Sequence, residues 1–124
     1  MNQYTLGPNA EDDIEQAKEY FKSECNFIEV EDVNHQISVS LANKKIIARC
    51  TGAMEFGARA LGNRSIMADP SDHDIVERIN FLIKQRDFWM PFAPAIRAED
   101  AHKYLVVPKS LDPVRISPYM MFSF

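Results

Sequence analysis

The chain is 124 residues long, is 46% apolar and carries a formal net charge of −4, the proportions of one soluble domain with room for a core. Its apolar runs are only a few residues, far short of the roughly 20 that a membrane helix needs, and the acidic total argues against non-specific nucleic-acid or anionic-membrane binding. The opening MNQYTLGPNAEDD reads as no secretory signal, and Cys25 and Cys50 lack CxxC spacing, so a reducing, cytoplasmic setting is expected. His35, His73 and His102 have no paired spacing, and no metal site within this chain is expected.

In chain order, Gly7-Pro8 reads as a break and residues 1–24 as a linker with a lead-in helix. Asn9 is its candidate cap, acids fill its first turn, and Ile14, Ala17 and Phe21 form a stripe at helical spacing. FIEVEDV alternates like a short strand. DVNHQISVSLANKK fits a helix through Val33, Ile37 and Leu41 and a strand through Ile37, Val39 and Leu41. The helix is favoured, because KIIARC behind it reads as a buried strand and ANKK as a helix end.

Residues 55–65, EFGARALGNRS, read as a loop. SIMADP is a strand ended by Pro70. SDHDIVERINFLIKQR is the best helical pattern, with Ser71 as cap, Ile75, Ile79, Leu82 and Ile83 as its apolar face, and Lys84 and Arg86 in its last turn. DFWMPFAPAI is extended because Pro91 and Pro94 bar helix. RAEDAHKYL reads as a brief helix, VVPKSLDPVR as a loop and SPYMMFSF as a final strand. Met67, Met90, Met120 and Met121 are expected to fill core. Strands alternating with helices give an α/β (α+β) class, a twisted open sheet with flanking helices. So apolar a terminal strand would be a sticky edge, so a longer parent polypeptide, or a homodimer through SPYMMFSF, is expected.

The chemistry concentrates in the loop. Gly57 and Gly62 permit backbone angles closed to other residues, and Gly62-Asn63 can aim successive N–H groups at one point, a nest for an anion. Arg59 and Arg64 can grip phosphate bidentately, and Ser65 adds a hydroxyl. The competing reading pairs these arginines with Glu55, Asp69 or the acidic helix start. Lys84 and Arg86 form a second cationic cluster that could equally complement the helix dipole, with Asn80 one turn before Lys84 on the same face. No Ser-His-Asp set, Cys-His pair or carboxylate pair stands out.

GAMEFGARALGNRSIMADP, INFLIKQRDFWMPFAPAI and SPYM together resemble the C-terminal region of the O-carbamoyltransferases, which carbamoylate hydroxyls of antibiotics and nodulation factors. YTLGPNAEDDIEQA resembles the segment leading into it, so the likeness covers nearly the whole chain. That region is similar to YrdC-type proteins, and LIKQR resembles their Lys-x-Arg motif at Lys84 and Arg86. The resemblance implies that residues 25–124 are part of a YrdC-like domain joining a carbamoyl group from carbamoyl phosphate to AMP from ATP, with Mg2+. It also implies a separate N-terminal actin-like domain that passes the carbamoyl group to a small-molecule hydroxyl acceptor, and an isolated piece inactive in that transfer. Lys84, Arg86 and Arg59 would act on the reacting groups, with Gly57, Gly62, Asn63, Arg64, Ser65 and Asn80 binding or orienting substrate. Ala53, Ala58 and Met90 stand where the family pattern has Arg, Pro and Arg. The alternative is a non-catalytic anion- or RNA-binding module of the same fold.

Overall fold

The computed structural model describes residues 5–112, 117, 119 and 120. They belong to two units, Met1–Met90 and Pro91–Phe124. The first opens with strand β1 (Thr5–Asn9), a 3-10 turn (Ala10–Asp13) and helix α1 (Ile14–Phe21). Gly7 and Pro8 lie inside β1 rather than breaking the chain. Gly7 is needed there, because a Cβ would come within 2.8 Å of the Met54 Cβ. Asn9 caps the turn as expected, its side chain accepting from the Glu11 N–H. The stripe on α1 stays open, with Ile14 and Phe21 both exposed. FIEVEDV forms no strand: Ile28 is 81% exposed and the segment has no pairing partner among the described residues. Alternation alone does not hold a strand without an edge to bond.

Helix α2 (Val33–Ala42) follows, capped by Asp32, whose carboxylate accepts from the His35 N–H at 2.9 Å. Ile37 and Leu41, four residues apart, are half-buried while Val39 is exposed, so helical spacing wins over alternation. Strands β2 (Ile47–Cys50), β3 (Ala53–Glu55) and β4 (Arg64–Met67) complete the β content of this unit. β1 pairs antiparallel with β3 through an irregular register, consistent with Pro8, which cannot donate. β2 pairs antiparallel with β4, Ile47 opposite Met67 and Cys50 opposite Arg64. The class is α+β, and the described strands form two separate two-stranded sheets rather than one continuous sheet. β2 is half-buried on alternate residues and not the fully buried strand expected.

Helix α3 (Ile75–Ile79) begins later than the sequence suggests. Ser71 is not its cap. The Ser71 N–H donates to Asp69 and its hydroxyl meets Lys44, while Asp72 accepts from the Asp74 N–H and Arg78. Two competing carboxylates flank Pro70 and draw the serine into the turn. Ile75 and Ile79 are 5% and 4% exposed and carry the buried apolar face.

Beyond them the helix widens into a π turn, Asn80–Lys84, closed by Gln85 in the left-handed region at φ 48°. The i to i+5 bonding rotates the following residues. Asn80 becomes fully buried, while Leu82 and Ile83, expected on the apolar face, lie exposed. Both the Gln85 and Arg86 N–H groups donate to the Asn80 carbonyl.

In the second unit, residues 91–97 are non-helical, as two prolines require. A 3-10 turn (Ala98–Asp100) leads into α4 (Ala101–Tyr104), where Ala101 is buried and Asp100 binds both Arg97 and Lys103. Residues 105–112 have no regular structure, as expected of the loop. Of SPYMMFSF, residues 118 and 121–124 lie outside the described residues. Ser117 accepts from the Met120 N–H in a turn. Met67 and Met90 are half-buried, Met120 is exposed, and Met121 lies outside the described residues. No helix among the described residues is long and apolar enough to cross a membrane.

Asn80→Ala strips partners from two main-chain carbonyls and one guanidinium in a buried setting, and urea unfolding is expected to show a loss of roughly 1–3 kcal/mol. Phe81→Ala, at a 75% exposed site, is expected to leave stability nearly unchanged in the same measurement.

Candidate functional site

The loop between β3 and β4 is built around one carboxylate. Glu55 is buried, and its Oε1 accepts from the N–H groups of Leu61 at 2.8 Å, Asn63 at 2.6 Å and Arg64 at 3.3 Å. Gly57 and Gly62 take φ of 112° and 119°, and nothing lies within 4 Å of where a Cβ would stand. Their requirement is conformational and not steric. The Gly62 N–H donates to the Ser65 hydroxyl oxygen at 3.0 Å. Successive N–H groups of Gly62-Asn63 do not converge as expected: that of Gly62 turns to Ser65, and those of Leu61, Asn63 and Arg64 meet the chain's own Glu55.

Burial pushes the Glu55 carboxyl pKa up, but N–H donors from Glu55 itself, Leu61, Asn63 and Arg64 outweigh it, and the net shift is downward. The carboxylate stays ionised inside the loop.

Arg64 takes a different role from the open phosphate ligand expected. Its guanidinium donates to the carbonyls of Thr51 at 2.9 Å, Asn63 at 3.1 Å, Gly52 at 3.2 Å and Pro8 at 3.4 Å. It clamps the turn between β2 and β3 to β1. Asn63 joins the clamp: its side-chain amide donates to the Ala53 carbonyl at 2.7 Å, and its own carbonyl accepts from the Thr51 N–H. Among the described residues neither loop arginine pairs with an acid. Glu55 is satisfied by main chain, and Asp69 binds Lys44 at 2.5 Å. Hydrogen bonds from Lys44 and from the Ser71 backbone and hydroxyl pull the Asp69 pKa down to about 2. Arg59, exposed on the loop between the two glycines, has a guanidinium with no ion pair or hydrogen bond among the described residues.

Asn80 organises the second cluster. Its Nδ2 donates to the carbonyls of Phe88 and Met90, each at 2.9 Å, and its Oδ1 accepts from Arg86 Nε at 2.7 Å. The structure joins Asn80 to Arg86, whereas the sequence placed it one turn before Lys84 on the same face; Asn80 is buried and Lys84 exposed. Lys84 is exposed, and its ammonium forms no ion pair or hydrogen bond among the described residues. None of these bonds runs between the loop and Lys84. A groove of about 530 Å3 lined by Ile14, Phe27 and Ile28 lies elsewhere, and one of about 210 Å3 is lined by Phe81 and Leu82 of the π turn together with Asp74, Glu77 and Arg78. The role of Glu55 was missed in the sequence. Its signal was an acid directly before a run whose two glycines bend the backbone back toward it.

Residues 38–124 match the family described as Carbamoyltransferase C-terminus. The chain belongs to this family. It is similar to nodulation protein NolO of Bradyrhizobium diazoefficiens, 40% identical over 92 residues, which are 74% of this chain and 16% of that protein. Nodulation protein NolNO of Sinorhizobium fredii is 42% identical over 86 residues, 67% of this chain and 13% of that protein. A 3'-hydroxymethylcephem-O-carbamoyltransferase of Amycolatopsis lactamdurans is 41% identical over 68 residues, 55% of this chain and 13% of the enzyme. The chain therefore spans about a sixth or less of the length of these curated relatives.

Glu55 and Asp69 both have folded pKa values below their unfolded values of roughly 4. Their contribution is present above that pH and is lost as pH falls through the folded values. The melting temperature is expected to fall steeply from pH 5 toward pH 2, and Asp69→Asn to flatten that slope. An unchanged slope would remove Asp69 from this role.

Proposed function

We propose that this chain supplies phosphate-binding groups of a carbamoyltransferase, at the stage where water releases inorganic phosphate from carbamoyl phosphate and the resulting carbamate attacks the α-phosphate of ATP, forming carbamoyl-AMP with pyrophosphate leaving. The observation that carries the reading is the Asn80 clamp. A fully buried amide fixes the Arg86 guanidinium at the end of the π turn that also bears Lys84, and these are the two cations of the Lys-x-Arg resemblance. Family membership and the carbamoyltransferase among the similar proteins support the reaction class.

Carbamoyl phosphate, ATP and pyrophosphate are densely anionic, and attack at the α-phosphate builds charge on its equatorial and leaving oxygens. Donors held in place before reaction stabilise that charge without a covalent nucleophile. Lys84 and Arg86 would meet the carbamoyl phosphate or the α-phosphate, and Arg59 a further phosphate group. Glu55, Asn63 and Arg64 act indirectly, by holding the loop that carries Arg59. Ser65 can still donate its O–H while its oxygen accepts from Gly62. Magnesium would arrive on the nucleotide. Ala53 and Met90, where the family pattern has arginine, leave this chain with fewer cations and weaker anion binding than that pattern gives. Transfer to a hydroxyl acceptor belongs to a separate domain.

Carbamoyl phosphate is expected to raise the melting temperature of the chain in a saturable way. Lys84→Ala is expected to weaken that binding by roughly 10- to 150-fold, the loss of one charge-assisted contact, and Arg59→Ala to weaken ATP by a similar factor. Wild-type affinity for both ligands in both variants would end the assignment. An affinity that drops steeply with salt for RNA, without saturation by either small molecule, would favour the binding-module reading.

A further inference from the structure

Two exposed aromatic residues, Phe88 and Trp89, follow the Lys84–Arg86 cluster in the chain. Phe88 is 67% and Trp89 63% exposed, and among the described residues neither ring makes a ring–ring contact. Exposed rings on a short turn ordinarily sample many positions. This turn is gripped. The Asn80 amide bonds the carbonyls of Phe88 and Met90, on either side of Trp89, and the Met90 N–H returns to the Asp87 carbonyl at 3.1 Å.

The same amide binds Arg86 through its oxygen. One buried side chain therefore sets the separation between a guanidinium and an aromatic turn, with the Lys84 ammonium on the adjoining π turn. The juxtaposition has the two chemistries of a nucleotide. Phosphates call for fixed cations, and a base offers a π face to an aromatic ring. An apolar protein surface seated here would have to desolvate two cations beside it, at a cost in free energy. In a chain of net charge −4, a local pair of cations beside bare rings is complementary to an anionic ligand carrying an aromatic group.

We propose that Trp89 is the stacking platform for the base of a nucleoside triphosphate whose phosphates meet Lys84 and Arg86. This rests on the phosphate-binding reading above and adds the base subsite to it.

Trp89 is the single tryptophan of the chain, so intrinsic fluorescence reports on this ring alone. The chain is titrated with ATP and with inorganic tripolyphosphate, following fluorescence and melting temperature together. ATP is expected to quench Trp89, while tripolyphosphate raises the melting temperature with little quenching. Trp89→Ala is expected to weaken ATP roughly 5- to 150-fold, the loss of one base stack, and to leave tripolyphosphate affinity unchanged. Trp89→Phe retains a ring and is expected to bind ATP close to wild type.

If ATP and tripolyphosphate bind equally well and Trp89→Ala affects neither, the base subsite is overturned and the phosphate reading stands. If Trp89→Ala weakens both equally, Trp89 shapes the turn and does not read a base, which also overturns the proposal. If neither ligand stabilises the wild-type chain, both readings fall together.

Discussion

The carboxylate of Glu55, seated against three backbone N–H groups, is the interaction on which the arrangement of the first unit depends. Without an acceptor at that point, the N–H groups of Leu61, Asn63 and Arg64 would be left partly buried and unpaired, at a cost comparable to lost hydrogen bonds. With it, the backbone folds around a fixed negative centre, and the two glycines adopt angles that other residues resist. The loop then enters β4 at Arg64, opposite Cys50. The Arg64 guanidinium completes the closure by bonding carbonyls of β1 and of the turn between β2 and β3. The charges of Glu55 and Arg64 are thus met by peptide dipoles rather than by opposite charges.

Asn80 repeats the device with a neutral group. Its amide offers two donors and an acceptor in one plane, and all three directions are engaged. A carboxylate at this place would lose both donors and set negative charge against two carbonyls. The π turn is what brings Asn80 inward, and the same widening leaves Leu82 and Ile83 outside. In both clusters a buried polar side chain organises main chain, and one cation, Arg59 or Lys84, has no acidic partner among the described residues. That division suits anion binding: the scaffold holds its shape without using those charges.

Several features were legible in the residues alone. Helix α2 followed from Asp32 and the Ile37–Leu41 spacing, the cap at Asn9 from its place before three acids, and the bend of the 55–65 run from Gly57 and Gly62. Family membership rode on a long, specific motif. Other readings failed for local reasons. Ser71 is not the cap because Asp69 holds its N–H in the turn, and α3 starts only after Asp74, which makes no side-chain cap bond. FIEVEDV alternated without an edge to bond. The apolar face expected at Leu82 and Ile83 assumed a helix of constant period.

What the sequence by itself determined was everything that acts over a few residues: cap chemistry, backbone freedom at glycine, helical spacing, and the gathering of cations at 59–64 and 84–86. Tertiary structure alone decided which donor meets which acceptor. Glu55 could have paired with a guanidinium, and Arg64 with a phosphate. Instead the carboxylate took peptide N–H groups and the guanidinium took peptide carbonyls, one of them 56 residues away in β1. Hydrogen-bonding partners are chosen by geometry at about 3 Å, and residues far apart in the chain reach that distance only once strands and turns have closed around them.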